Sequence, residues 1–168
     1  MCYNTSPRGE EMLDANTIMN FGFPDNLKYL NLEFCFNDTL ADSSLVGCGC
    51  HCKTDTVKFF LYNSLEKKCV FTMHFYIEEN FNNIFSKLKI SERHVYLQHI
   101  ATNSLYRKQG IASFYLNKLI GFCANNDIHI IVLDVCPDSS DETNALNRSE
   151  LTNFYNNFST DEVKIQII

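Results

Sequence analysis

Arg107, Lys108, Gln109 and Gly110 stand directly ahead of a stretch with helical apolar spacing, a combination suited to holding an anion. A helix N-terminus offers unpaired N–H groups and the positive end of the peptide dipole. A basic, glycine-containing turn at that point makes phosphate the natural guest. Cys48, Cys50, His51 and Cys52 form a second chemical cluster. Structural zinc usually takes pairs of ligands spaced C-x2–4-C, and no second such pair follows in the chain. Alternate residues on a strand also sit too far apart to share one tetrahedral ion easily, so no metal is expected and these thiols read as reduced. Asp134 is the third feature, the one carboxylate in the run Ile128–Val135 (IHIIVLDV). An unpaired buried carboxylate is costly, so Asp134 must either face a cleft or have a partner.

Periodicity gives the elements that must position these groups. Val95 to Ala101 is a short β-rich run that predicts a strand. Ile111 to Cys123 puts Ile111, Phe114, Tyr115, Leu119, Phe122 and Cys123 on one helical face, with Asn117, Lys118 and Gly121 opposite. Ile128–Val135 reads as a strand covered on both faces. Strand, helix and strand make a βαβ unit, so the two strands should run parallel with a right-handed crossover. Upstream, Val57–Tyr62 and Val70–Ile77 predict an antiparallel hairpin, and Glu78–Lys89 predicts a short amphipathic helix through Phe81, Ile84, Phe85 and Leu88. Further upstream, Glu10–Asn20 suits a helix ended by Gly22 and Pro24, Leu27–Phe36 a strand, and Asn37–Thr54 a loop. Downstream, Asn147 and Glu150 form a capping box opening a helix with Leu151, Phe154, Tyr155 and Phe158 on one face. Val163, Ile165 and Ile167 then alternate as a last strand. The fold class is α/β, with a mixed sheet that is antiparallel first and parallel at its centre.

The length of 168 residues suits one domain with a proper core. A net charge of −6 argues against nucleic-acid binding by bulk electrostatics and leans toward a cationic small molecule. The polar N-terminus does not resemble a signal peptide, and no apolar run reaches bilayer-spanning length. Eight cysteines without a secretory signal fit a reducing cytoplasm.

The turn thus reads Arg107-x-x-Gly110-x-Ala112 between a strand and an amphipathic helix, an apolar strand follows, and a later helix carries Phe154-Tyr155. Together these resemble the acyl-CoA-binding signature and the fourth-helix FY of the GNAT N-acetyltransferase superfamily, over about Thr56 to Ile168. The resemblance implies that the first strand carries a β-bulge and splays away from Ile128–Val135, leaving a gap for pantetheine. The amides of pantetheine would pair with backbone near Ile100 and Thr102. The pyrophosphate of acetyl-CoA would be cradled by N–H groups of Arg107, Lys108, Gln109, Gly110, Ile111 and Ala112, with Ser113 in the same first turn. Gly110 would let the backbone approach the phosphates, and small Ala112 would keep the helix start open. Tyr155 matches the family tyrosine that protonates the departing thiolate. A phenol near pKa 10 can donate to a thiolate whose acid lies near 8.5, although the ring also suits a core position with its hydroxyl at the rim. The sequence departs from the family pattern where Ser159 and Thr160 replace a Gly-Phe pair and Arg148 replaces an Asn. The first 55 or so residues follow no family pattern.

Amine acylation needs a neutral amine, a polarised thioester carbonyl and a protonated leaving thiol. Asp134, near the carboxyl end of a parallel strand where ligand crevices form, is a candidate for amine binding or general base; its alternative role is to anchor a loop. His99, beside the expected bulge, is a candidate to act directly or through water, with a hydrogen-bonded wall residue as the alternative. His74 and Tyr76 share a face and suit either an acceptor wall or a half-buried sheet surface, while Glu78 and Glu79 read as ordinary solvated charges. The expectation is a cytoplasmic N-acetyltransferase moving acetyl from acetyl-CoA to a small-molecule or peptide amine by direct attack. A homodimer is left open, with no nucleic acid and no membrane as partners. The alternatives are a non-catalytic acyl-CoA-binding module of the same fold and a zinc-stabilised interaction protein built on the Cys48–Cys52 cluster.

Overall fold

The computed structural model describes residues 13–36, 51–53, 56–79, 90, 92–137 and 144–168. The hairpin is the frame. Strand β3 (Thr56–Asn63) turns through Ser64–Lys67 into β4 (Lys68–Glu78), and Asn63 closes the turn by accepting from the amides of Leu65 and Glu66 with its side-chain oxygen. On β3 and β4 the residues Val57, Phe59, Leu61, Phe71, Met73, Phe75 and Ile77 alternate inward and are buried, as a period of two requires. Strand β5 (His94–Thr102) pairs antiparallel with β4, and helix α2 (Ile111–Asn125) returns the chain to β6 (Ile130–Leu133), which runs parallel to β5. Helix α3 (Arg148–Asn156) then leads to β7 (Lys164–Ile167), parallel to β6. The sheet order is β1-β3-β4-β5-β6-β7, where β1 is Leu32–Cys35; β2 (His51–Lys53) pairs with β3 below β1 on the same edge. This is the expected mixed sheet, antiparallel on one side and parallel across β5, β6 and β7.

Helix α2 packs on the inward face through Ile111, Tyr115, Leu116, Leu119, Ile120, Phe122 and Cys123. Leu116 and Ile120 join the expected apolar face, whereas Phe114 is only half-buried. Tyr115 stacks on Phe71 at 4.9 Å between ring centroids and meets Phe59 and Phe34 edge-on. Its hydroxyl donates to the carbonyl of Gly22 at 2.8 Å, so the one polar atom of this ring is satisfied, and burial raises its phenol well above the ordinary range.

Several elements differ from expectation. The N-terminal helix α1 is shorter, Ala15–Asn20, because Asp14 caps it by accepting from the Thr17 amide at 2.8 Å; Leu13 and Ile18 are buried. Leu27–Phe36 is not one strand. Asp25–Leu27 forms a 3-10 turn whose Leu27 is fully buried, the chain turns again, and β1 starts only at Leu32. Spacing alone could not separate Leu27 and Leu30 in a turn from two positions on a strand. His51–Lys53, expected in a loop, is a strand because β3 offers it a free edge. The strand expected over Ile128–Val135 pairs only over Ile130–Leu133, although Ile128 and Val135 are both buried. The helix expected over Glu78–Lys89 lies almost wholly outside the described residues, and Glu78 itself ends β4.

Candidate active site

The site begins at Gln98. On the β4 side, His74 faces His99 and Phe75 faces Leu97, so Gln98 is an extra residue, a bulge in β5. On the β6 side, Leu97 opposite Leu133 is the last shared pair, and β5 runs on to Thr102 beside β4 alone. The two parallel strands therefore part where the bulge re-aims β5. A small solvent-open cleft opens there, lined by Leu97, Gln98, His99, Ile100, Leu133, Asp134, Cys136 and Tyr155. Asp134, His99 and Tyr155, the three residues singled out in sequence, thus share one cleft with Ile100.

Each comes from a different element. Tyr155 is carried by α3, whose start is fixed by the expected capping box: Asn147 accepts from the Glu150 amide at 3.0 Å, and Glu150 accepts from the Asn147 amide at 2.9 Å. The Tyr155 ring is buried against Phe154, and burial, followed by the nearby Cys136 thiol, pushes its phenol up to about 12. It is therefore a proton donor throughout the neutral range. Asp134 is the first residue past β6 and is about half exposed, with Arg148 Nη2 at 3.7 Å from one carboxylate oxygen and the Cys136 thiol donating to the other at 3.8 Å. Both conditions set for it in sequence are met, since it faces the cleft and has partners. His99 is exposed and stands across from His74 on β4.

The basic turn follows β5 directly. Ser104–Tyr106 forms a 3-10 turn capped by Asn103, whose side-chain oxygen accepts from the Leu105 amide at 3.1 Å while its amide nitrogen donates to the Cys69 carbonyl at 3.2 Å. Lys108 (φ 62°) and Gly110 (φ 79°) are both left-handed. A Cβ at Gly110 would meet nothing within 4 Å, so it is the backbone conformation that calls for glycine, and the space beside it is open. Gly110 caps α2 without a side chain, no acidic residue sits in the first turn, and the Phe114 amide bonds the Gly110 carbonyl at 2.9 Å. The amides of Ile111, Ala112 and Ser113 ahead of it belong to the unpaired first turn, with Arg107 and Lys108 beside them. The donor set fits a pyrophosphate. Arg107 Nε donates to the Thr102 carbonyl at 3.2 Å, so of the backbone expected to meet pantetheine, the Thr102 carbonyl already has one protein donor, while Ile100 lines the cleft.

Four contributions escaped the sequence. Cys136 enters the cleft only because the chain turns back after β6. Glu78 is no ordinary solvated charge, because its carboxylate meets His94 Nε2 at 3.2 Å, and Glu79 likewise pairs with Arg93 Nε at 3.2 Å. Tyr96 stacks on Tyr76, with ring centroids 5.2 Å apart. Asn26 donates from its side chain to the Gln109 carbonyl at 2.9 Å and so ties the N-terminal segment to the basic turn. The residues that break the family pattern also have structural partners. Arg148 faces Asp134, the Ser159 hydroxyl accepts from the Ile165 amide at 2.9 Å, and the Thr160 hydroxyl accepts from the Val163 amide at 3.0 Å. The Cys48–Cys52 cluster lies outside the described residues, save for the backbone of His51 and Cys52 in β2. Among the described residues no three His, Cys, Asp or Glu side chains gather as a metal site, and no helix is long and apolar enough to cross a membrane.

The family model described as acetyltransferase (GNAT) family matches residues 22–148, which takes in the hairpin, the bulged strand, the basic turn and Asp134. No curated protein matches the chain in sequence. Among solved structures, an aminoglycoside acetyltransferase from an uncultured soil metagenomic sample, in complex with trehalose, aligns with a TM-score of 0.48 at 13% identity. That alignment covers 86% of this chain and 94% of the other.

Proposed function

The chain belongs to the acetyltransferase (GNAT) family, and from that premise we propose that it moves an acetyl group from acetyl-CoA to a primary amine by direct attack, with both substrates bound together. The observation that carries the reading is the parting of β5 from β6 at Leu97 and Leu133, which brings His99, Asp134 and Tyr155 around one cleft beside the basic turn. Acetyl-CoA would supply the activated acyl group and the leaving thiol. Arg107, Lys108 and the first-turn amides from Ile111 to Ser113 hold its pyrophosphate, and the exposed edge of β5 at Ile100 meets its amide-bearing arm.

The chain's own groups then divide the proton work. Asp134 faces the incoming ammonium and, directly or through water and His99, accepts the proton that must leave before nitrogen can attack. Tyr155 gives its proton to the departing sulfur. A phenol held near 12 keeps its proton at neutral pH and is available to hydrogen-bond to the sulfur, sharing that proton as negative charge develops on it. Arg148 holds Asp134 in place and tempers its charge. The test is a screen of primary amines with acetyl-CoA, read by thiol release. Turnover of some amine, strongly slowed in Tyr155→Phe, is expected; thermal stabilisation by acetyl-CoA with no amine acetylated in a broad panel would favour a binding module instead.

A further inference from the structure

The outward face of β4 and β5 carries a strip that starts at the cleft residue His99 and runs on to residues the acetyl-transfer chemistry does not use. Cross-strand register pairs His74 with His99, Tyr76 with Tyr96 and Glu78 with His94, and partners directly across a ladder share a face. The Tyr76 and Tyr96 rings stack at an interplanar angle of 21°, and both remain partly open to solvent. On the same face Thr72 and Val132 are fully buried and Lys58 nearly so, while Lys164 and Gln166 on β7 are exposed. The Tyr76–Tyr96 patch abuts the cleft. Tyr96 directly precedes the cleft residue Leu97 and pairs with Val132, two residues before Asp134.

Two carboxylates flank the patch, each with a basic partner: Glu78 meets His94 Nε2 at 3.2 Å and Asp134 meets Arg148 Nη2 at 3.7 Å, while Lys58 stands opposite His74 on β3. Burial raises both phenols, and the carboxylate of Glu78 then acts on both rings while that of Asp134 acts on Tyr96. Both nitrogens of the His94 ring are engaged, one by the Glu78 carboxylate and the other by the carbonyl of Glu92. Stacked phenol faces next to carboxylates attract an ammonium by cation–π and Coulomb terms together. The net charge of −6 adds a weak field of the same sense.

We propose that the Tyr76–Tyr96 stack, flanked by Glu78 and Asp134, is the acceptor platform, and that the acceptor is a flexible molecule with at least two amines. One amine is acetylated at the cleft while the other stays protonated over the rings. This rests on the acetyltransferase reading but goes beyond it, because a single amine would satisfy the chemistry and leave the platform idle.

The test compares 1,4-diaminobutane with butylamine on the full chain, by thiol release. Thermal stabilisation by acetyl-CoA is followed separately as a readout of the donor side. The diamine should be favoured in kcat/KM by at least about tenfold, equal to 1.4 kcal/mol. That preference should shrink about tenfold in Tyr96→Leu, be retained in Tyr96→Phe, which keeps the ring, and weaken with added salt. The thermal midpoint of each variant shows whether it folds, and Tyr76→Leu serves where Tyr96→Leu does not. Equal use of the two amines, or a preference untouched by loss of either ring, overturns the platform while leaving acetyl transfer standing. Absence of both acetyl-CoA stabilisation and turnover of any amine overturns the underlying reading, and the platform with it.

Discussion

Leu97 and Leu133 are the last residues that β5 and β6 share, and the residue immediately after Leu97 is the bulge. The coincidence has a mechanical cause. A bulge adds one residue on one strand, bends it and increases its twist, so the edge facing β6 swings away just where the extra residue enters. Everything in the cleft depends on that bend. His99 and Ile100 lie just beyond it on β5, and Asp134 lies just past the end of β6.

Tyr155→Phe should leave the fold intact and slow turnover. The ring stays buried against Phe154, so the thermal midpoint should hardly move, while loss of a general acid should cost kcat roughly 10²-fold. Because burial pushes this phenol up to about 12, the wild-type rate should show no alkaline limb from Tyr155 below about pH 11. Steady-state kinetics of the two proteins across pH 6–10, about the range a thiol assay tolerates, checks both statements.

Gly110→Ala should weaken the donor side. At φ 79° an alanine is strained although its Cβ meets no neighbour, so the cost is in the backbone, about 1 kcal/mol. Relief of that strain would rotate the first-turn amides away from the anion. The expected result is an acetyl-CoA KM raised about tenfold, equal to 1.4 kcal/mol, with a smaller change in amine KM. Unchanged acetyl-CoA affinity would separate the turn from the phosphates.

Asn147→Ala removes the oxygen that accepts from the Glu150 amide. Loss of an N-cap costs about 1 kcal/mol, or roughly 2–4 °C in melting temperature for a chain of this size. Tyr155 sits two turns into the same helix, so kcat should fall with stability while acetyl-CoA KM holds. Differential scanning calorimetry beside kinetics separates the two effects.

Stability should fall steeply above pH 9. Burial pushes the Cys123 thiol up to about 12, with Arg93 opposing, while in the unfolded chain it titrates near its ordinary value of 9.0. The folded pKa is the raised one. The unfolded state therefore loses its proton first, and the stabilisation, complete below pH 9, drains away as pH climbs toward 12 at roughly 1 kcal/mol per unit. Buried Tyr115 adds to the same limb from its own ordinary value upward. Denaturant melts at pH 8, 9 and 10 should show the decline, shallower in Cys123→Ala than in wild type even though that variant starts less stable.

What the sequence determined is local chemistry and period. The alternation of β3 and β4, the apolar face of α2, the capping box at Asn147 and Glu150, and the basic glycine turn each depend on residues within a few positions of one another, so each was legible from spacing. The same residues led to the GNAT family and to Tyr155, Asp134 and His99 as the groups to watch. The tertiary structure decided what depends on partners distant in the chain. The family resemblance implied a bulge in this strand, but a bulge is a mismatch between two strands, so its place at Gln98 followed only once β4 was laid beside β5. The pairing of Glu78 with His94 and the stacking of Tyr76 on Tyr96 likewise follow from register. Leu27 became a turn residue because Asp25–Leu27 folds against the basic turn, where Asn26 reaches Gln109 some eighty positions away. The basic turn is written in one short stretch, whereas the Tyr76–Tyr96 stack joins two strands and exists only once they are paired.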